Sequence, residues 1–251
     1  MEPPTDPAAD AAADPASLAP VPSREPRQRW RLTFARRVSI EEPAVIGRAY
    51  ATLWESALLA SGLPVVIGDS GRPRFALAAQ LPAGASGRAE LADTWLTERL
   101  PAWRVRAALE PELPTDHELV SCEDTWLGAP ALPGRVAAAD YLVELGESLD
   151  RAAAEAAAAR LLVATRLPRV RVKGSSSKTY DLRPLLLAID VEPSPDGGRV
   201  RVRTRLHPEL GSGRPDEVIA ALGEELGVTL TPASVARERL ILIDDLEVRE
   251  D

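Results

Sequence analysis

Apolar and polar positions alternate in "RQRWRLTFARR", where Trp30, Leu32 and Phe34 are separated by Arg31 and Thr33. That period of two predicts a half-buried strand and the first ordered element. The pattern then changes to a helical one in "IEEPAVIGRAYATLWESALLASG". Val45, Ile46, Ala49, Leu53, Trp54 and Leu58 gather on one side of a helix that opens at Glu41-Glu42-Pro43 and stops at Gly62. "PRFALAAQLPAG" and "WRVRAALEPEL" read as the next strands, and "AELADTWLTERLPA" between them fits either a strand or a helix.

The Pro/Gly stretch "WLGAPALPG" interrupts the pattern, which then restarts. "ADYLVEL" reads as a strand, and "SLDRAAAEAAAARLLVATRL" as a helix with Ser148 as its N-cap. "LPRVRVKG" and "KTYDL" are short strands around a serine loop. "LLLAIDVE" and "RVRVRTRL" are strands around the turn "PSPDGG". "RPDEVIAALGEELG" is a helix ending at Gly227, and "ARERLILIDDLEV" is a last strand. With the serine-loop hairpin set aside, the second half has the order β-α-β-β-α-β of a ferredoxin-like unit, and the first half fits the same order with one element eroded. The expected fold is α+β: tandem ferredoxin-like domains, the second carrying an inserted basic β-hairpin. The domains would be 27–128 and 137–251, with a Pro/Ala/Asp-rich disordered tail at 1–26 and a linker at 129–136.

Composition narrows the chemistry. The 251 residues are 45% hydrophobic but only 4% aromatic, so the core is aliphatic, and the net charge of −8 excludes a generally basic coat. A single cysteine, Cys122, permits no internal disulfide, and no stretch has the length or apolarity of a membrane span or a signal peptide. A cytoplasmic protein without membrane contact is expected. His117, His207 and Cys122 show no metal-ligand spacing, so neither a metal nor a cofactor is expected. Acidic neighbours around Cys122 favour an inert thiol.

"VRVKGSSSKTYDLRPLL" superficially resembles a phosphate loop. A Walker A loop needs glycines where this chain has Val172 and Ser177, so that reading fails. What remains is charge. Arg169, Arg171, Lys173, Lys178 and Arg183 face a single acid, Asp181, and the two lysines are the only ones in the chain. In "RVRVRTR", Arg199, Arg201, Arg203 and Arg205 project to one face along roughly 20 Å. On the open side of a ferredoxin-like sheet such a row suits RNA, while Asp190 and Glu192 across the hairpin suit ordinary ion pairs. Tyr180 is the one aromatic at hand for stacking.

"KTYDLRP" (178–184) and "GSGRPDEV" (211–218) resemble the DUF2344 family of radical SAM-linked proteins. Arg31-Leu32-Thr33-Phe34-Ala35-Arg36 resembles the family's opening R-x-x-F-x-K, and Gly71-Arg72-Pro73-Arg74-Phe75-Ala76-Leu77 its glycine loop. The family's S-H-L-D becomes Ile40-Glu41-Glu42-Pro43, and the histidine of its glycine loop is replaced, so the amino-terminal half is divergent. The resemblance covers about residues 29–243. It implies a radical SAM protein as partner, in RNA or cofactor modification, and names no substrate.

The expectation is a non-catalytic accessory protein that presents RNA or another anionic substrate to that enzyme. Arg171, Lys173, Lys178 and Arg183 would contact phosphates beside Tyr180, with Arg201 and Arg203 from the arginine row and Arg214 at a helix start adding to them. Two alternatives stand beside it: a subunit that docks on the partner protein without nucleic acid, and a stand-alone enzyme using Asp181 or Asp216 as a base.

Overall fold

The computed structural model describes residues 25–37, 45–173, 176–192, 197–207 and 211–247. The amino-terminal tail, the Glu41-Glu42-Pro43 helix opening and most of the "PSPDGG" turn lie outside the described residues, as do the side chains of Lys173 and Lys178. The protein is α+β, with one large, mostly antiparallel sheet and few helices.

The first half runs β1 (Gln28–Arg36), α1 (Gly47–Ala60), β2 (Phe75–Leu77), β3 (Ser86–Leu96), α2 (Ala102–Leu109) and β4 (His117–Thr125). β4 pairs β1, β1 pairs β3 and β3 pairs β2, all antiparallel. The second half runs β5 (Val136–Leu145), α3 (Arg151–Val163), β6 (Pro168–Lys173), β7 (Ser176–Asp181), β8 (Leu186–Glu192), β9 (Gly198–His207), β10 (Gly211–Ser212), α4 (Pro215–Leu226), β11 (Pro232–Leu242) and α5 (Ile243–Glu247). Here β11 pairs β5, β5 pairs β9 and β9 pairs β8, again antiparallel. Leaving out the separate β6–β7 hairpin and the short β10, both halves order their sheets as fourth, first, third and second strand. One parallel contact, Ala236↔Ser86 and Arg237↔Gly87 between β11 and β3, joins them into nine strands.

The alternation read from β1 and β9 decides which face is covered. Trp30, Leu32 and Phe34 are buried with Trp54 and Leu58 of α1 and with Val105 and Leu109 of α2. Val200 and Val202 are buried with Ala157 and Leu161 of α3 and with Val218, Ile219 and Leu222 of α4. All four main helices therefore lie on one side of the sheet, and the intervening arginines face the other. A third, smaller cluster, including Leu132, Tyr141 and Leu240, fills the seam.

Several expected elements differ, among them the last strand, which ends at Leu242 and gives way to α5. "WRVRAAL" is the helix α2 rather than a strand. Its Trp103/Val105 alternation is fortuitous, because the buried positions are Val105 and Leu109, one helical turn apart, and Trp103 is 71% exposed. "HELVSCEDT" takes the strand role as β4, so no element of the first half is missing. The helix α1 buries Tyr50, Trp54, Ala57 and Leu58, while Val45, Ile46 and Leu53 are exposed. Tyr50 can turn inward because its hydroxyl meets His117 Nε2 at 2.8 Å, and burial pushes its pKa up to about 12. The cap of α3 is Asp150, whose carboxylate accepts from the Ala153 N–H at 2.7 Å, rather than Ser148.

Candidate anion-binding cavity at the seam

On the open face, three of the four arginines of β9 are matched by acids. Arg199 pairs with Glu144 at 2.8 Å, Arg201 with Glu192 at 2.8 Å and also with Glu238, and Arg203 with Asp140 at 2.6 Å. Arg239 shares Asp140 at 2.9 Å. Of the arginines expected to bind, Arg201 and Arg203 thus stand in a cross-strand ion-pair lattice.

Burial pushes the Asp140 carboxyl up, but hydrogen bonds and charge from Arg203 and Arg239 outweigh it and hold the group below its ordinary 3.8. The stabilisation this gives is complete above the unfolded value, near pH 4, and is lost as pH falls through the lower folded value. The protein's urea midpoint should therefore exceed that of an Asp140→Asn variant by a constant margin near neutrality, and the margin should shrink below about pH 4.

The β6–β7 hairpin leans on α4. Arg169 pairs with Glu224 at 3.1 Å, and Arg171 reaches Glu217 at 3.2 Å. The Tyr180 hydroxyl donates to the same Glu217, and the Arg171 guanidinium lies 4.7 Å from the Tyr180 ring centre. The two motifs that stood out in the sequence, "KTYDLRP" and "GSGRPDEV", therefore meet at Glu217. Asp181 works as a turn acid: it accepts the N–H groups of Leu167 (2.7 Å) and Arg183 (3.0 Å), and the Leu167 bond is the main cause holding its pKa low. Arg183 donates to the carbonyls of Leu186 (2.7 Å) and Leu162 (2.5 Å), fastening the hairpin base to the end of α3.

Beside this junction a cavity of about 610 Å³ opens on the helix-covered side. The loop before β3 supplies Gln80 to Ala83 and Ala85, the sheet Tyr141, Val235 and Arg237, the hairpin Arg171, and the start of α4 Ser212 to Asp216. Its walls thus come from both halves. Arg237 is buried and fully engaged: Nε donates to Glu90 at 2.8 Å, Nη1 to the Gln80 carbonyl at 3.1 Å, Nη2 to the Ala79 carbonyl at 3.0 Å and to Glu90 again, with Tyr141 beside it. Gly87 makes room for this, because a Cβ there would sit 2.5 Å from Glu90 Cγ. Burial pushes the Tyr141 hydroxyl pKa up. Gly213 is held between β9 and the Leu185 carbonyl, where a Cβ would lie 2.8 Å from Thr204 Cβ. That close packing fixes Arg214 at the mouth of α4.

A model of the family described as "Uncharacterized protein conserved in bacteria (DUF2344)" matches residues 50–215. The chain belongs to the DUF2344 family. In this DUF2344 protein the match runs from α1 to the first residue of α4, so it takes in the cavity's loop wall, the hairpin and Arg214. No curated protein matches the chain. Among solved structures it is similar to a Cbf5-Nop10-Gar1 complex, at 11% identity and a TM-score of 0.46, over 83% of this chain and 48% of that one. It is also similar to an archaeal box H/ACA sRNP Nop10-Cbf5 complex, at 12% identity and a TM-score of 0.41, over 83% and 47%. An unknown protein from Galdieria sulphuraria matches at 17% identity and a TM-score of 0.22, over 84% of this chain and 99% of that one. The chain spans about half the length of the first two.

Of the residues singled out in the sequence, Arg171 and Arg214 of this DUF2344 protein line the cavity, and Tyr180 stands behind Arg171. Arg183 serves the hairpin base, and Arg201 and Arg203 lie on the opposite face. Sequence reasoning missed Gln80, Tyr141, Glu90 and Arg237. The one signal for Arg237 was a charge at an inward position of the apolar strand "VARERLIL". Cys122 is half-buried on β4, and burial pushes its thiol pKa up. Among the described residues no cluster of His, Cys, Asp or Glu could hold a metal ion, and no helix is long and apolar enough to cross a membrane.

Proposed function

We propose that this DUF2344 protein is a non-catalytic accessory subunit of a radical SAM enzyme and holds an anionic part of the substrate, RNA foremost, at the seam cavity. We read its halves as two ferredoxin-like units, on the strand order each one follows. The observation that carries the functional reading is the convergence of Arg171 and Arg214 on one cavity, at the start of a helix that no side chain caps. In a chain of net charge −8, the unpaired Arg214 and the free edge of Arg171, whose other edge holds Glu217, stand beside free helix N–H groups and would make a local site for negative charge. Lys173 at the tip of the same hairpin and Lys178, in register with Arg171, would extend it.

The test is single-stranded RNA binding by fluorescence anisotropy across a salt series, comparing the protein with an Arg171→Ala/Arg214→Ala variant. Loss of two phosphate contacts should weaken binding and reduce the slope of log K against log salt by about 1.4. An unchanged affinity and slope would overturn the reading. Docking on the partner enzyme without RNA is the second reading, favoured by the exposed indoles of Trp103 and Trp126. A complex of the two proteins that survives nuclease treatment, with no RNA binding by this chain, would select it.

A further inference from the structure

Resting on that anion-holding reading, we propose that the cavity takes a terminal phosphate carried on a single nucleotide-sized body, rather than the internal phosphates of a strand. The placement of free hydrogen-bond donors is the first ground. A guanidinium has five N–H groups. Arg237 has its own committed to Glu90, to two backbone carbonyls and toward Tyr141, so it shapes the cavity and leaves the ligand to others. Arg171 holds Glu217 only at 3.2–3.4 Å, and its Nη1 donates to nothing among the described residues. The Arg214 side chain has no hydrogen bond or ion pair among the described residues, its carbonyl alone accepting from the Val218 N–H. The first turn of α4 has proline at its first position and no side-chain cap, which leaves the N–H groups of Asp216 and Glu217 open. Arg171, Arg214 and Asp216 line the same cavity. A phosphomonoester brings three acceptor oxygens and close to two charges to one point, whereas an internal diester brings one charge.

The second ground is that, among the described side chains, no track of free cations leads away from that point; Lys173 and Lys178, near it on the hairpin, would add charge beside the point rather than a path along a strand. Arg199, Arg201 and Arg203 are paired and, like the exposed Arg205, face the opposite side of the sheet, and Arg183 is held by carbonyls. Successive phosphates of a strand would find no second described foothold. The cavity's volume, about 610 Å³, lies within the range of small-ligand sites. Ile46, Leu81, Leu206 and Val235 give the body of the ligand an apolar wall. Asp216, also on the lining, would repel a bare anion but can accept hydrogen bonds from hydroxyl or amino groups. That combination suits a phosphorylated nucleoside better than inorganic phosphate.

Two sources share this chemistry, a free mononucleotide and a phosphorylated RNA end. The experiment measures binding of the full chain to adenosine 5′-monophosphate, to adenosine, and to one short single-stranded RNA with a 5′-phosphate, a 3′-phosphate or only hydroxyl ends. A phosphorylated form should bind about tenfold or more tightly than its hydroxyl counterpart. Arg214→Ala, at an exposed position with no partner to lose, should erase that preference while the thermal midpoint stays unchanged. Preference for the mononucleotide identifies the free source, and preference for the phosphorylated RNA identifies the strand end. Equal binding of phosphorylated and hydroxyl RNA, weakened alike by Arg214→Ala, would overturn the terminal-phosphate inference and leave RNA holding intact. Binding of none of the probes would overturn both.

Discussion

Glu90→Ala is expected to cost about 3–5 kcal/mol of folding stability, read as a fall in the urea midpoint. The carboxylate itself contributes little net energy. The cost arises because its removal leaves the Arg237 guanidinium buried at the seam without a counter-charge. A Glu90→Leu/Arg237→Met double variant, which removes both charges and keeps apolar volume, should recover much of the loss, although the Ala79 and Gln80 carbonyls then lack their donor. Recovery in the double variant separates loss of a counter-charge from loss of packing. A single-variant cost below about 1 kcal/mol would mean that the pair does not hold the halves together.

Arg29→Ala should be of similar size, about 3–5 kcal/mol, for a related reason. Arg29 is buried. Its Nε donates to Asp93 at 2.9 Å, and its Nη groups donate to the carbonyls of Ala129 at 2.6 Å and Pro130 at 3.0 Å. Its loss leaves Asp93 with Arg31 alone, at 3.0 Å, and strips two carbonyls of their donors. The segment between the halves is therefore tied to β1 rather than hanging free, and the variant should also be cut faster by protease between Trp126 and Ala131. Lysine at this position should rescue little, because one ammonium cannot reproduce the fork that bridges a carboxylate and two carbonyls. Stability unchanged in Arg29→Ala would show that the connection needs no such tie.

Strands such as β1 and β9 were legible because their alternation is long and its two faces differ sharply, apolar against arginine. α2 was not, since in eight residues a period of two and a period of 3.6 share too many positions to separate. The inward face of α1 was misjudged at Tyr50, whose burial depends on His117, 67 residues away. The candidate site divides the same way. Arg171 and Arg214 announced themselves as charges in compact motifs. Arg237 looked like any strand arginine, because its role is set by Glu90, 147 residues earlier, and by a parallel pairing between halves that no local pattern encodes. The ion pairs of β9 were half visible: Glu192 lies in the neighbouring strand, but Glu144, Asp140 and Glu238 come from β5 and β11.

The parallel contact joining the halves is two residue pairs long, and one of its members is Arg237. The same side chain that rivets this narrow hinge line also grips the loop forming one wall of the cavity. Any shift of one half against the other would therefore also move that wall of the cavity. A ligand held between Arg214 on one side and the Gln80 loop on the other would touch both halves at once and so brace the joint.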